Sequence, residues 1–160
     1  MANTLVAYFS ASGKTANVAR LLAKALGADI FEIEPEIPYK KADLNWMDKN
    51  SRSTLEMKDR SSRPEIRSHV ENMDLYDVIY LGFPIWWYRE PSIIDTFLEE
   101  YDFAGKTIVL FATSGGSGFG KTVSGLKGIV SPQARIIEGK LLNGRQDEKS
   151  LAAWADSLGL

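Results

Sequence analysis

The 160-residue sequence contains no cysteine and a single histidine, His69. Without cysteine there are no disulfides, no thiolate nucleophile and no cysteine-ligated iron–sulfur cluster, and the chain suits a reducing compartment. One imidazole excludes a multi-histidine metal cluster. Carboxylate sites for magnesium stay open, although no tight acidic motif occurs. Long hydrophobic runs are also missing, since none approaches the roughly 20 residues that cross a bilayer. No secretion leader is read ahead of the first apolar segment, so the expectation is a cytoplasmic protein with no membrane insertion. A net charge of -2 leaves no long basic stripe, and nucleic acid is not expected as a partner. G-x-G-x-x-G is absent after the first strand, which argues against the usual dinucleotide fold.

What is present is ordinary for a packed protein: 44% hydrophobic and 25% charged residues, enough for one domain over 1–160 with its own core. The chain alternates between two periods. "TLVAYF" (4–9) reads as a buried strand, and from Lys14 the spacing of Val18, Leu21, Leu22 and Ala25 becomes helical until Gly27. Further strands are predicted at 29–33, 77–81, 106–113 and 134–137. Helices are predicted from about Ser92, with Ile94, Phe97, Leu98 and Tyr101 on one side, and over 121–128 and 147–158. The first, third and fourth strands are apolar on both faces, which requires helices on both sides of a parallel sheet. This predicts an α/β doubly wound, three-layer fold with a five-stranded parallel sheet of order 2-1-3-4-5, "DIFEIE" forming a polar edge strand. Between Pro35 and Pro64 the pattern lapses into an excursion too long for an ordinary αβ loop, with a weak helical patch at 43–48. Its Tyr39, Trp46, Leu55 and Met57 suggest order and packing on the body, with a site beneath it.

In such a sheet, ligands bind at the carboxyl ends of the strands, and three unusual loops fall there. The first, "SASGKT" (Ser10–Thr15), leads from strand to helix. Backbone N–H groups and the helix dipole favour an anion at that point, Ser10, Ser12 and Thr15 add hydroxyls, and Gly13 permits a tight turn. Taken alone, Ser12 reads equally as a helix N-cap. The second, "GFPIWWYREP" (82–91), sets Trp86, Trp87 and Tyr88 side by side. They suit either stacking on a flat ring or packing beneath the next helix. The third, "TSGGSGFG" (113–120), offers small residues and N–H groups for the edge of a planar heterocycle, or else a simple turn.

Gly115–Thr122, "GGSGFGKT", also matches the triphosphate-loop pattern literally. No strand ends in the aspartate that would hold magnesium, and the first loop is a rival phosphate site. One phosphate site plus one flat-ring site suits a mononucleotide. "GGSGF" lacks the final glycine of a nucleophile elbow, and His69, in "RSHVENMD", builds no persuasive Ser-His-Asp set.

With these residues in view, the chain resembles the flavodoxin family. "SASGKT" is similar to the family's T-x-T-G-x-T phosphate loop, with serines at Ser10 and Ser12 and direct matches at Gly13 and Thr15. "GFPIWWYREP" and "TSGGSGFG" resemble the flavin loops of small bacterial flavodoxin-like proteins, and the likeness spans essentially the whole chain. The resemblance implies noncovalent FMN, its phosphate held by Ser10, Ser12, Gly13, Lys14, Thr15 and the Ala16 N–H. The ring would be bounded by Pro84, Ile85, Trp86, Trp87 and Tyr88 on one side and by Thr113, Ser114, Gly115, Gly116 and Gly118 on the other. A tyrosine that many flavodoxins carry in the third loop is missing between Thr113 and Gly118. That leaves the outer ring face open, covered by Trp46, or met by Phe119. The insertion that splits the fifth strand in some relatives is absent too.

The resemblance implies electron transfer between a redox partner such as a flavodoxin reductase and an acceptor protein, with no catalytic side chain and no metal. The alternative is an NAD(P)H- or quinone-dependent FMN oxidoreductase acting on a small quinone-like substrate. A modest net charge and the excursion count toward the alternative. A flavin-free interaction module is disfavoured by the complete phosphate loop.

Overall fold

The structure is a computed structural model that describes residues 3–11, 13–87, 89–114, 118–120 and 122–160. Ser12, Tyr88, Gly115, Gly116 and Ser117, all part of the expected loops, and Lys121, the expected start of a helix, lie outside the described residues. Five strands, β1 (Thr4–Tyr8), β2 (Asp29–Glu32), β3 (Val78–Pro84), β4 (Thr107–Thr113) and β5 (Arg135–Leu141), form one sheet. Its order is β2-β1-β3-β4-β5 and every neighbouring pair is parallel. The helices are α1 (Lys14–Leu26), α2 (Arg52–Lys58), α3 (Ser92–Glu99), α4 (Thr122–Lys127) and α5 (Glu148–Ser157). The expected three-layer, flavodoxin-like architecture is therefore the one observed.

The strands show why two helical layers are needed. Leu5, Ala7 and Phe9 join one core with Ile79, Leu81, Phe83, Ile108 and Leu110, covered by Ile93, Ile94 and Phe97 of α3 and Leu126 of α4. The alternate residues Val6, Tyr8, Val78, Tyr80, Val109 and Phe111 join the other, beneath Val18 and Leu22 of α1 and Leu151 and Ala155 of α5. Side chains two apart share a face, so each central strand feeds both cores in turn. No helix among the described residues is long and apolar enough to cross a membrane.

Three elements differ from the sequence reading. β3 runs through Gly82 to Pro84 instead of stopping at Leu81. Gly82 does not end the strand; it makes room for a neighbour, since a Cβ there would lie 2.2 Å from Cζ of Phe111, a fully buried ring. β5 begins one residue later than predicted and continues to Leu141. Its period breaks where Ile137 pairs with Val109 but Lys140 pairs with Phe111, so Glu138 and Gly139 bulge opposite Leu110.

In the excursion, the patch at 43–48 yields only a 3-10 turn, Ala42–Leu44, and Met47 is exposed. The helix lies later, at α2, capped by the Ser51 side chain, which accepts from the Thr54 N–H. Its buried residues are Ser53, Thr54 and Met57 while Leu55 is exposed, so no apolar stripe announces it. The excursion closes on itself at its neck, where the Glu36 N–H donates to the Glu65 carbonyl and the Arg67 N–H to the Glu34 carbonyl, both at 2.8 Å.

The β5 bulge gives a sharp test. A Cβ on Gly139 would fall 1.9 Å from the Leu110 carbonyl oxygen and 2.9 Å from Cζ2 of Trp154. Backbone cannot yield as a side chain can, so Gly139→Ala is expected to cost about 1–3 kcal/mol. At roughly 2–4 °C per kcal/mol for a chain of this size, thermal melting should fall by several degrees. A melting temperature within one or two degrees of wild type, roughly what a surface change produces, would show that the bulge relaxes freely.

Candidate functional site

The turn from β1 into α1 is set by Gly13, whose φ of +92° is a left-handed angle that glycine adopts without strain. Gly13 occupies the N-cap position, and among the described residues no side chain caps the helix there. The Gly13 N–H donates to Oγ of Ser10 at 3.0 Å. The N–H groups of Lys14, Thr15 and Ala16 stand in the first turn of a 13-residue helix, where intrahelical acceptors do not reach. Together with the helix dipole and the exposed Lys14 ammonium, they form a donor set for one compact anion. Thr15 is buried, and its Oγ1 lies 2.8 Å from Oγ1 of Thr113, which ties the start of α1 to the end of β4.

Beyond β3 the chain makes a tight hairpin. The Trp86 N–H donates to the Arg89 carbonyl at 3.0 Å and the Arg89 N–H to the Trp86 carbonyl at 3.1 Å. Trp87 sits at its tip with φ +50°, an unusual angle for a bulky residue, and is 43% exposed. Trp86 is half-buried, edge-on to both Phe9 and Tyr39 with ring centroids 5.7 Å away in each case. One indole, Trp86, packs against Phe9 and Tyr39 and lines the cleft, and the next, Trp87, is exposed. The Ile85 N–H donates to the Thr113 carbonyl at 2.9 Å, fixing the root of the hairpin to β4.

The base of the hairpin is held by charge. Arg89 and Glu90 pair with each other, and Arg89 also reaches α3 and α2. Its guanidinium donates to Asp95 at 3.1 Å, and more loosely to Glu90 and to the Met57 carbonyl, both at 3.4 Å. Arg63 adds an ion pair to Asp95 at 3.9 Å. Arg89, Glu90 and Asp95 are all buried, and Oε1 of Glu90 and Oδ1 of Asp95 have no hydrogen-bond partner among the described residues. Burial pushes the Glu90 carboxyl up to about 7; the nearby Asp95 charge adds to this, and Arg89 and Arg60 oppose it. Burial likewise raises Asp95, to about 6, against the pull of Arg89, Arg63 and Arg60.

These loops meet at a cleft of about 570 Å³ at the carboxyl edge of the sheet. Of the residues expected there, Lys14, Pro84, Ile85, Trp86, Thr113 and Ser114 line it. Ser10, Gly13, Thr15 and Ala16 stand beside it in the turn and first turn of α1, and Gly118 is exposed beyond β4. Asn17, Leu142, Asn143, Gly144 and Gln146 line it without having been expected. Oδ1 of Asn143 accepts from the Ser114 N–H at 2.8 Å, joining the loop after β5 to the loop after β4. The signal for that fourth loop was its place, since "LLNG" follows a strand of the same sheet and therefore ends on the same edge.

Lys14 is the one charged side chain among the described lining residues, and no carboxylate is among them. Its described lining residues offer one cation, amides, hydroxyls and apolar surface, and no acid–base pair is among them. Phe119 is buried in the core beside α4, and Trp46 is 69% exposed. Thr122, the hydroxyl of the triphosphate-loop match, is fully buried and donates to the Phe119 carbonyl, so it is not available to a metal. His69 lies at the surface, its Nδ1 2.9 Å from Glu100. Among the described residues there is no group of three or more His, Cys, Asp or Glu side chains able to hold a metal ion.

Comparison with known proteins follows this geometry. The profile of the family described as Flavodoxin matches residues 3–158. A solved structure from Bacteroides eggerthii DSM 20697, described as a candidate flavoprotein, is similar at 48% identity and a TM-score of 0.93, covering 100% of this chain and 99% of the other. Flavodoxin 1 of Escherichia coli (strain K12) is 27% identical over 147 residues, which is 87% of this chain and 67% of that protein. A flavoprotein from Lactobacillus acidophilus NCFM, solved in complex with FMN, shares the fold at a TM-score of 0.68 and 21% identity, covering 97% of this chain and 99% of the other.

The buried carboxyls predict a pH dependence. The Glu90 carboxyl is raised in the folded chain, so its favourable contribution is present at acid pH. That contribution is lost as pH rises through about 7, because the unfolded chain ionises first. Glu90→Gln removes this titration. The variant should match wild type near pH 5 and exceed it near pH 8, by up to about 3 kcal/mol in denaturant unfolding. Parallel stability–pH curves for the two proteins would refute the assignment.

Proposed function

The chain belongs to the flavodoxin family, and from that premise we propose that it binds FMN noncovalently and carries electrons between a reductase and an acceptor protein. The observation that carries this reading is the junction of two unlike surfaces. The uncapped start of α1, with Lys14 beside it, opens onto a cleft walled by Trp86, Thr113 and Ser114. A monophosphate needs the first surface and a planar ring the second. The donor set fits FMN: N–H groups of Lys14, Thr15 and Ala16, hydroxyls from Ser10, Ser12 and Thr15, and a single ammonium for a dianion.

In this reading Thr15 and Thr113 act as a pair. A hydroxyl donates once and accepts twice, so when Thr113 donates to Thr15 the Thr15 proton is free for a phosphate oxygen. Trp86 forms one ring wall, Thr113 and Ser114 face it from the end of β4, and the roles proposed for Trp87 and Tyr88 on the ring and for Gly115, Gly116 and Gly118 on its polar edge follow from their places in the sequence. Bound FMN supplies the redox chemistry, accepting and releasing electrons through its ring. The protein's part is to bind the phosphate, orient the ring and hold its edge. The absence of a carboxylate among the described lining residues favours a carrier, which requires no proton-transfer side chain. A chain without cysteine suits the reducing cytoplasm.

Thr15→Val keeps the buried volume and removes the hydroxyl. A lost hydrogen bond to a charged phosphate is worth about 1.5–3 kcal/mol, so FMN affinity should fall roughly ten- to a hundredfold while riboflavin affinity stays within about twofold. Equal losses for both ligands in a titration of flavin fluorescence would show that this hydroxyl serves the fold instead.

The functional reading is tested by anaerobic stopped-flow of the FMN-loaded protein. Reduction should be slow with NADH or NADPH alone and fast when a flavodoxin reductase is added. Rapid direct reduction by a nicotinamide followed by quinone turnover would replace the carrier with an FMN oxidoreductase.

A further inference from the structure

The excursion after β2 reaches the Trp86 side of the cleft wall through Tyr39. Tyr39 lies edge-on to Trp86, with centroids 5.7 Å apart and planes at 81°, and Trp86 in turn is edge-on to Phe9 at 89°. The Phe9–Tyr39 centroids are also 5.7 Å apart, so the three rings form a closed triangle. Phe9 directly follows β1, Tyr39 belongs to the excursion, and Trp86 lines the cleft.

Tyr39 is itself unusually well fixed. Its hydroxyl donates to Oε1 of Glu56 on α2. The Arg52 guanidinium lies over its ring, 3.9 Å from the centroid, and donates to the other Glu56 oxygen at 3.0 Å. Arg52 also donates to the Ile37 carbonyl at 2.6 Å, locking α2 to the segment that bears Tyr39. α2 is anchored to the far side of the hairpin as well: the Ser92 hydroxyl donates to the Glu56 carbonyl at 3.1 Å, and Arg89 reaches the Met57 carbonyl. The excursion therefore grips the aromatic hairpin at its base and at Trp86.

We infer that Tyr39 is a positioning residue for the cleft wall, and that the excursion serves as a brace that holds Trp86 edge-on against Phe9. A lid would show a detachable contact over an opening. Here the contact is a packed aromatic triangle backed by a cation over the ring and two hydrogen bonds to one carboxylate. Edge-to-face aromatic pairs and a guanidinium over a tyrosine are each favourable beyond simple burial, and they fix orientation because they are directional. Among the described residues no hydrogen bond holds the Trp86 indole, so its orientation depends on its two ring neighbours.

The flavin arm of the test rests on the FMN reading, and a second arm does not. FMN and riboflavin affinities are measured for wild type, Tyr39→Leu, Tyr39→Phe, Trp86→Ala and the double variant Tyr39→Leu/Trp86→Ala. Tyr39→Leu should weaken both ligands alike, by about five- to tenfold. Tyr39→Phe, which keeps the ring, should restore affinity to within about threefold of wild type. In the Trp86→Ala background, Tyr39→Leu should have no further effect, because the residue through which it acts is gone.

The same factor lost in both backgrounds, or no loss from Tyr39→Leu in a folded protein, overturns the inference. Should Tyr39→Leu not fold, Glu56→Gln loosens the tyrosine from its carboxylate, and the same cycle with Trp86→Ala decides. If wild type binds neither flavin, the cofactor reading fails. The brace is then judged on the flavin-free protein by near-ultraviolet circular dichroism: the indole band lost in Trp86→Ala must also change in Tyr39→Leu, and an unaltered band refutes it.

Discussion

The constraint on which the structure depends is burial of the central strands on both faces. Leu5, Ile79 and Ile108 look to one side of the sheet and Val6, Tyr80 and Val109 to the other, and all six are nearly inaccessible. A sheet of that kind is covered by helices on each side and connected by crossovers, so its strands run parallel. Every strand then ends on the same edge. The loops after β1, β3, β4 and β5 are brought together there by this geometry, although in sequence they are separated by dozens of residues. The cleft is a consequence of the two-sided core.

A second consequence concerns where charge is placed. The cleft carries one ammonium and no carboxylate among its described lining residues, while two carboxyls lie buried behind the aromatic hairpin. Glu90 and Asp95 share Arg89, with Arg63 and Arg60 nearby. Burying such a cluster costs desolvation, and removing one partner of a buried pair is commonly worse than removing all of it. The return is directional: the guanidinium ties the hairpin base to α3 and to the carbonyl of Met57 in α2. Trp87 of the hairpin stays exposed while the hairpin base is held by Arg89.

The 35–64 excursion joins these two themes. It shares no long apolar period with the rest of the chain, yet Met57 is buried and Tyr39 packs on the core. Its neck is closed by backbone hydrogen bonds, and its interior is organised around Arg52 and Glu56. Isolated two-turn helices are marginal in water, so α2 depends on the surfaces it touches. Its partners are the hairpin and the start of α3, which makes the excursion part of the wall and not merely an insertion beside it.

The period of the side chains alone determined the order of elements, the parallel sheet and the edge on which ligands would gather. Doubly apolar strands admit few other solutions, and a Gly-Lys-Thr turn into a helix is legible as an anion site from residue types. Pro84, Ile85, Trp86, Thr113 and Ser114 were legible as cleft residues because they follow strand ends. What only the tertiary structure decided is everything that depends on contacts across distant segments. Gly82 looks like a strand terminator until Phe111 is seen to occupy the space its Cβ would take. Gly139 looks like a turn until β4 is seen to bulge β5 around Leu110. α2 has no apolar stripe because its buried face is Ser53, Thr54 and Met57, and Asn143 reaches the cleft only because β5 lies beside β4. Local periodicity reports which face of an element is buried; it carries no information on which neighbour does the burying, and that neighbour set these four positions.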